Sequence, residues 1–167
     1  VQQVDVAAAQ GQRQIVLSTG GRTDAAAQRL LPSLPPVCFV EVGDFTGIAL
    51  RRAASRGIGE ATFVGMAGKI AKLAAGVLMT HYRRSRVDTT LLAEVAATAH
   101  APAAVLAAAT ATATARHFAE ACASAAAYEP LAELCRRAAA ACTAHAGGLP
   151  VRVVMVDFEG EEVLARG

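Results

Sequence analysis

The chain has 167 residues, a formal net charge of +2, 54% hydrophobic and 18% charged residues, and only 4% aromatics with no Trp. That length suits one domain with a sizeable core, and so small a charge excess excludes nucleic-acid binding driven by bulk electrostatics. The Ala-rich region from Val95 to Ala127 is broken by His100, Pro102, Arg116, His117 and Glu120 and leaves no membrane span, while four scattered cysteines with no Cys-x-x-Cys pair and no signal peptide point to a reduced, cytoplasmic protein.

The opening stretch VQQVDVAAAQG reads as a helix stopped by Gly11. It starts without a methionine or a capping residue, so residues 1–13 are expected to continue from an N-terminal domain absent from this sequence, with 14–167 forming the binding domain. QIVLST (14–19), VCFVEV (37–42), EATFVG (60–65) and RVVMVD (152–157) are short apolar runs bounded by Gly, Pro or charge, the pattern of parallel strands buried on both faces. Helical patterns separate them over 23–31, over 45–56 and from Gly68 onward. This alternation predicts an α/β fold, a three-layer Rossmann-like, mostly parallel sheet with right-handed crossovers. An Ala-rich helical segment follows over 89–100, 103–125 and 130–145, in which Leu91, Leu92, Val95, Leu106, Phe118, Leu131 and Leu134 supply the packing faces. Gly147, Gly148 and Pro150 return the chain to the sheet.

The chemistry is concentrated where strands end. IVLSTGGRTD runs a strand into a glycine pair and then a helix, so that free N–H groups and the positive end of the helix face the crevice beyond the sheet. Ser18, Thr19, Gly20, Gly21, Arg22 and Thr23 are therefore candidates for holding an anion or carboxylate; a plain tight turn accounts for the same spacing. Glu41 stands 20 positions after Gly21, where nucleotide-binding folds place an acid for ribose hydroxyls. Asp44 follows, either beside the same ligand or as N-cap of the next helix. Gly65 and Gly68 repeat the glycine pattern at the third strand, without the spacer or the Ser/Thr of a P-loop. Lys69, His81, Arg83 and Arg84 then gather cations suited to carboxylates, although a solvated helix face and loop explain them too. No hydrolytic triad is present, and the histidines and cysteines lack metal-ligand spacing, so no metal site is expected.

Four segments together, IVLSTGGRTD, VEVGDFTGIALRRAASRG, ATFVGMAGKIAKLAAGVLMTHYRRSRVD and LLAEVAATAHAP, resemble the CbiD family of cobalamin biosynthesis, the cobalt-precorrin-5B C1-methyltransferases. The most specific part is VGMAGKIAKLAAG followed by Met79-Thr80-His81. The resemblance implies methyl transfer from S-adenosylmethionine to C1 of a cobalt-precorrin, with Ser18 to Thr23, Glu41, Asp44, Gly65 and Gly68 near the cofactor and Lys69, His81, Arg83 and Arg84 near the substrate. It implies as partner the N-terminal half of the same enzyme, and Ala113-Thr114 stands where members commonly carry Asn-Thr. A non-catalytic ligand-binding or oligomerisation module needing that half is the alternative, and exposed sheet edges favour a homo-oligomer. A NAD-dependent oxidoreductase is a weaker reading, because Gly-x-Gly-x-x-Gly is absent.

Overall fold

The computed structural model describes residues 2–78 and 88–167. Four parallel strands, β1 (Gln14–Ser18), β2 (Phe39–Glu41), β3 (Glu60–Met66) and β4 (Val151–Val156), and the antiparallel β5 (Val163–Arg166) form one sheet in the order β2-β1-β3-β4-β5. The expected α/β architecture is present. β5 is an addition to it: Val-Leu-Ala-Arg is too short and mixed to stand out as a strand, and it pairs across a bulge at Met155/Val156.

Period-two alternation divides the strands between two cores. Ile15, Leu17, Ala61, Phe63, Val151, Val153 and Met155 face the larger one, while Val16, Val64, Val154 and Val156 face a smaller one completed by Ala26 and Ala27 of α2 (Gly21–Leu30). Helix α2 has that side of the sheet to itself among the described residues. On the larger side lie α1 (Gln2–Ala9), α3 (Thr46–Ser55), α4 (Ala67–Ala74), α5 (Thr89–Thr98), α6 (Ala103–Ala111), α7 (Ala115–Ser124) and α8 (Glu129–His145). Val4 and Ala7 of α1 are fully buried in this larger core.

Helix α8 is central because Leu131, Leu134, Cys135, Ala138 and Cys142 fall on one face at helical spacing and are all fully buried. Each of the two leucines contributes about 1.5–3 kcal/mol by its burial, and Ala138 lets the helix sit close to its neighbours. Burial raises the thiols of Cys122, Cys135 and Cys142 to about 12, so they behave as small apolar groups.

The periodicity of 103–125 predicts one helix, and the structure has two. Thr112 to Thr114 interrupts it, Thr112 Oγ1 donates to the Thr114 carbonyl at 2.7 Å, and Thr114 Oγ1 accepts from His117 N–H at 3.2 Å as the N-cap of α7. Leu106 accordingly turns outward at 38% exposure instead of packing.

Candidate functional site

The carboxyl ends of β1, β2 and β3 open side by side. At β1 the chain turns through Thr19 and Gly20 into α2. Thr19 N–H donates to Thr23 Oγ1 at 3.0 Å, Thr23 Oγ1 donates to the Gly20 carbonyl at 2.9 Å, and Ser18 Oγ bonds Asp24 Oδ1 at 3.3 Å. Ser18 and Thr23 are 1% and 2% exposed, so their hydroxyls shape the turn from below while Gly20 and Gly21 form its accessible surface. At β2, Glu41 is exposed and makes no side-chain hydrogen bond among the described residues. Asp44 does not cap α3, whose N-cap is Phe45; its carboxylate is ion-paired with Lys69 in the first turn of α4.

Helices α2, α3, α4, α6 and α8 begin with no side-chain cap and α5 and α7 are capped by Asp88 and Thr114, but at α3 the buried Gly47 N–H already donates to the Leu78 carbonyl at 2.9 Å, so the open starts at this edge are those of α2 and α4. Exposed orphan donors at a helix start await an acceptor from solvent or a ligand.

The glycines divide by cause. A Cβ at Gly20, Gly21 or Gly68 would meet nothing within 4 Å, so packing does not require glycine there. Gly65 is different: it lies buried within β3, and a Cβ would stand 2.5 Å from the Phe63 ring, so this glycine makes room for a core side chain. Gly160, between β4 and β5, has φ 77° and would press a Cβ to 2.8 Å from the Arg22 carbonyl oxygen.

Beyond β3 and β4 the edge deepens into an open cleft of about 660 Å³ between the start of α4, helix α7 and the β4–β5 turn. Met66, Ala119, Ala123, Val156 and Leu164 give it an apolar floor, with Tyr128 and Phe158 at its sides. Lys69, Lys72 and Arg116 supply cations, and Glu120, Asp157, Glu159 and Glu162 supply acids. Of these residues only Gly68 and Lys69 are candidates from the sequence. Arg116, Tyr128 and Phe158 come from segments whose approach is tertiary, and the one sequence signal for them is the aromatic and charged interruption of an Ala-rich stretch. Arg22, a candidate for the glycine turn, points away from it: Nη1 donates to the Phe158 carbonyl at 2.7 Å. His81, Arg83 and Arg84 lie outside the described residues. No three His, Cys, Asp or Glu side chains cluster as metal ligands among the described residues, and no helix there is long and apolar enough to cross a membrane.

Comparison with known proteins adds a family to this geometry. The profile described as CbiD, C-terminal domain, matches residues 79–167. A protein of Rubrobacter xylanophilus is 53% identical over 160 residues, covering 95% of this chain and 41% of its own length. One of Salinispora arenicola is 54% identical over 167 residues, covering 99% of this chain and 44% of its own length, and one of Leptospira interrogans is 35% identical over 162 residues, covering 96% and 44%. All three are named cobalt-precorrin-5B C(1)-methyltransferase. The chain thus spans less than half the length of these relatives. No solved structure gives a significant match.

Proposed function

Because the chain belongs to the CbiD family, we propose that it is the cofactor- and substrate-binding part of an S-adenosylmethionine-dependent enzyme. That enzyme methylates C1 of cobalt-precorrin-5B to give cobalt-precorrin-6A in the anaerobic route to cobalamin. The further length carried by its relatives completes the active unit, in the cytoplasm. The observation that carries this reading is the pair of uncapped helix starts, of α2 and α4, beside Gly20, Gly21 and Gly68 with open space around them.

The residues present fit the cofactor. The N–H groups at Gly21 and Arg22 suit its carboxylate, and Glu41, exposed and without a side-chain partner among the described residues, suits the ribose hydroxyls. S-adenosylmethionine supplies an electrophilic methyl group on a sulfonium, so what remains for the protein is to bind, orient and exclude water. Transfer to a nucleophilic ring carbon draws mainly on positioning and on a matched electrostatic surround, which requires no triad. Lys69 stands between the two regions, paired with Asp44 on the cofactor side and lining the cleft on the other. With Lys72 it lines the cationic side of the cleft, and a substrate bearing acetates and propionates is held there and by His81, Arg83 and Arg84, which are candidates from the sequence alone.

Calorimetric titration with S-adenosylmethionine, S-adenosylhomocysteine and ATP tests this. The two sulfur compounds bind and ATP does not, and Glu41→Ala or Gly21→Val removes the binding. Preference for ATP, or variants that bind as the parent does, would reject the assignment.

A further inference from the structure

Phe158, between β4 and β5, carries two guanidiniums on one ring. The central carbon of Arg116 lies 3.7 Å from the ring centroid and that of Arg22 lies 4.5 Å from it, although one arginine comes from the start of α7 and the other from the start of α2. Like charges brought this close repel, and the ring is an apolar group 42% exposed at the rim of the cleft.

Holding the turn in place does not need this arrangement. Asp157 Oδ1 already accepts the backbone N–H groups of Glu161 and Glu162 at 2.7 and 3.2 Å, Arg29 donates to the Gly160 carbonyl, and Gly160 packs against the backbone of Arg22. Arg116 spends Nε on Glu120 at 2.7 Å and Arg22 spends Nη1 on the Phe158 carbonyl at 2.7 Å. An arginine offers five N–H groups, so each guanidinium keeps an edge with no acceptor among the described residues.

The neighbouring acids do not consume these edges. Glu120 is engaged by Arg116, Asp157 by backbone, and Glu161 faces Arg29 at 3.6 Å. Glu159 and Glu162 remain as exposed acids on the turn. They disfavour a uniformly charged polyanion and favour a ligand whose anionic groups are discrete and set around an apolar body, matching the apolar floor.

We infer that Arg116, which lines the cleft, and Arg22, which reaches the same Phe158 ring from outside that lining, form a two-guanidinium clamp for separate carboxylates at the periphery of the ligand in the cleft. This rests on the reading of that ligand as a tetrapyrrole-derived substrate, and it assigns the Arg22 side chain to the substrate while the Arg22 backbone N–H stays with the glycine turn. Phe158 is a positioning residue, acting through the two arginines.

The test titrates the 167-residue chain with dicyanocobyrinic acid, a corrin with free carboxylate side chains, and with its fully methyl-esterified form, following the corrin absorbance. The acid binds at least about tenfold more tightly than the ester, the scale of a charge-assisted hydrogen bond. Arg22→Met and Arg116→Met each remove about tenfold of the acid's affinity and leave the ester's unchanged. Phe158→Leu gives the same loss and Phe158→Tyr restores the parent value, a rescue that a merely space-filling ring would not require. Equal affinity for acid and ester, no binding of either, or arginine variants that hold the acid like the parent overturns the clamp. S-adenosylmethionine binding is measured on the same protein. Its presence without acid preference rejects the clamp alone, and acid preference without it rejects the methyl-donor reading alone.

Discussion

Asp44, beyond the end of β2, is ion-paired with Lys69, in the first turn of α4 beyond β3. Between β2 and β3 in the sheet lies β1, so this pair bridges the segments that flank the glycine turn. Its side chains are 33% and 28% exposed, neither free in water nor sealed from it.

Pairs of this partial exposure contribute little to global stability, and their value here is geometric. Asp44→Asn is expected to change the urea-derived unfolding free energy by no more than about 1 kcal/mol, while weakening S-adenosylhomocysteine binding because the β2–α3 segment is no longer fixed against α4. Unchanged affinity would show that the bridge has no part in the site.

The two glycines of Gly65-Met66-Ala67-Gly68 should respond in opposite ways. Gly65→Ala drives a methyl into the Phe63 ring and costs about 1–3 kcal/mol of stability. Gly68→Ala, in a helix with open space around it, stabilises by about 0.5–1 kcal/mol and lowers cofactor affinity by crowding the helix start. Thermal melts and calorimetry on both variants separate these effects; a stable Gly65→Ala protein would contradict the packing described.

Acid should weaken the seam between α1 and α3. Asp5 accepts from Arg52 Nε and Nη2 at 2.6 and 2.9 Å and from Arg56 Nε at 2.7 Å. Arg52 first, then Arg56, hold its carboxyl at about 2, below the ordinary 3.8. A carboxyl lowered by folding adds stability above its unfolded value and loses it as pH falls toward the folded one. Asp5→Asn should therefore be less stable than the parent at pH 7, with the gap shrinking from about pH 4 down to about pH 2. A gap of constant size from pH 7 to pH 3 in urea titrations would exclude this origin.

The parallel strands were legible because each is an apolar run cut off by glycine, proline or charge, and no predicted end lies more than two residues from the observed one. The position of the glycine turn after β1 and of Glu41 at the end of β2 was legible for the same reason, since strand ends leave marks in composition. Asp44 was not: Asp before a helix has the form of an N-cap, and only the fold brings Lys69 within its reach. Arg22 looked like part of the turn that contains it, yet its partner is Phe158, 136 positions away. The cleft was hidden for that reason, because its walls come from α4, α7 and the β4–β5 turn, and α7 itself was concealed in a longer Ala-rich pattern until Thr114 is recognised as a cap.

The unequal dressing of the sheet bears on how the molecule opens. Helix α2 rests on a small apolar patch of its own, while its sister helices share one continuous core, so α2 can detach at less cost than the rest. The turn at its head is the one with the glycine pair. Occupancy of that turn would be felt as slower amide exchange along α2, leaving the exchange of α8 and the central strands governed by global unfolding.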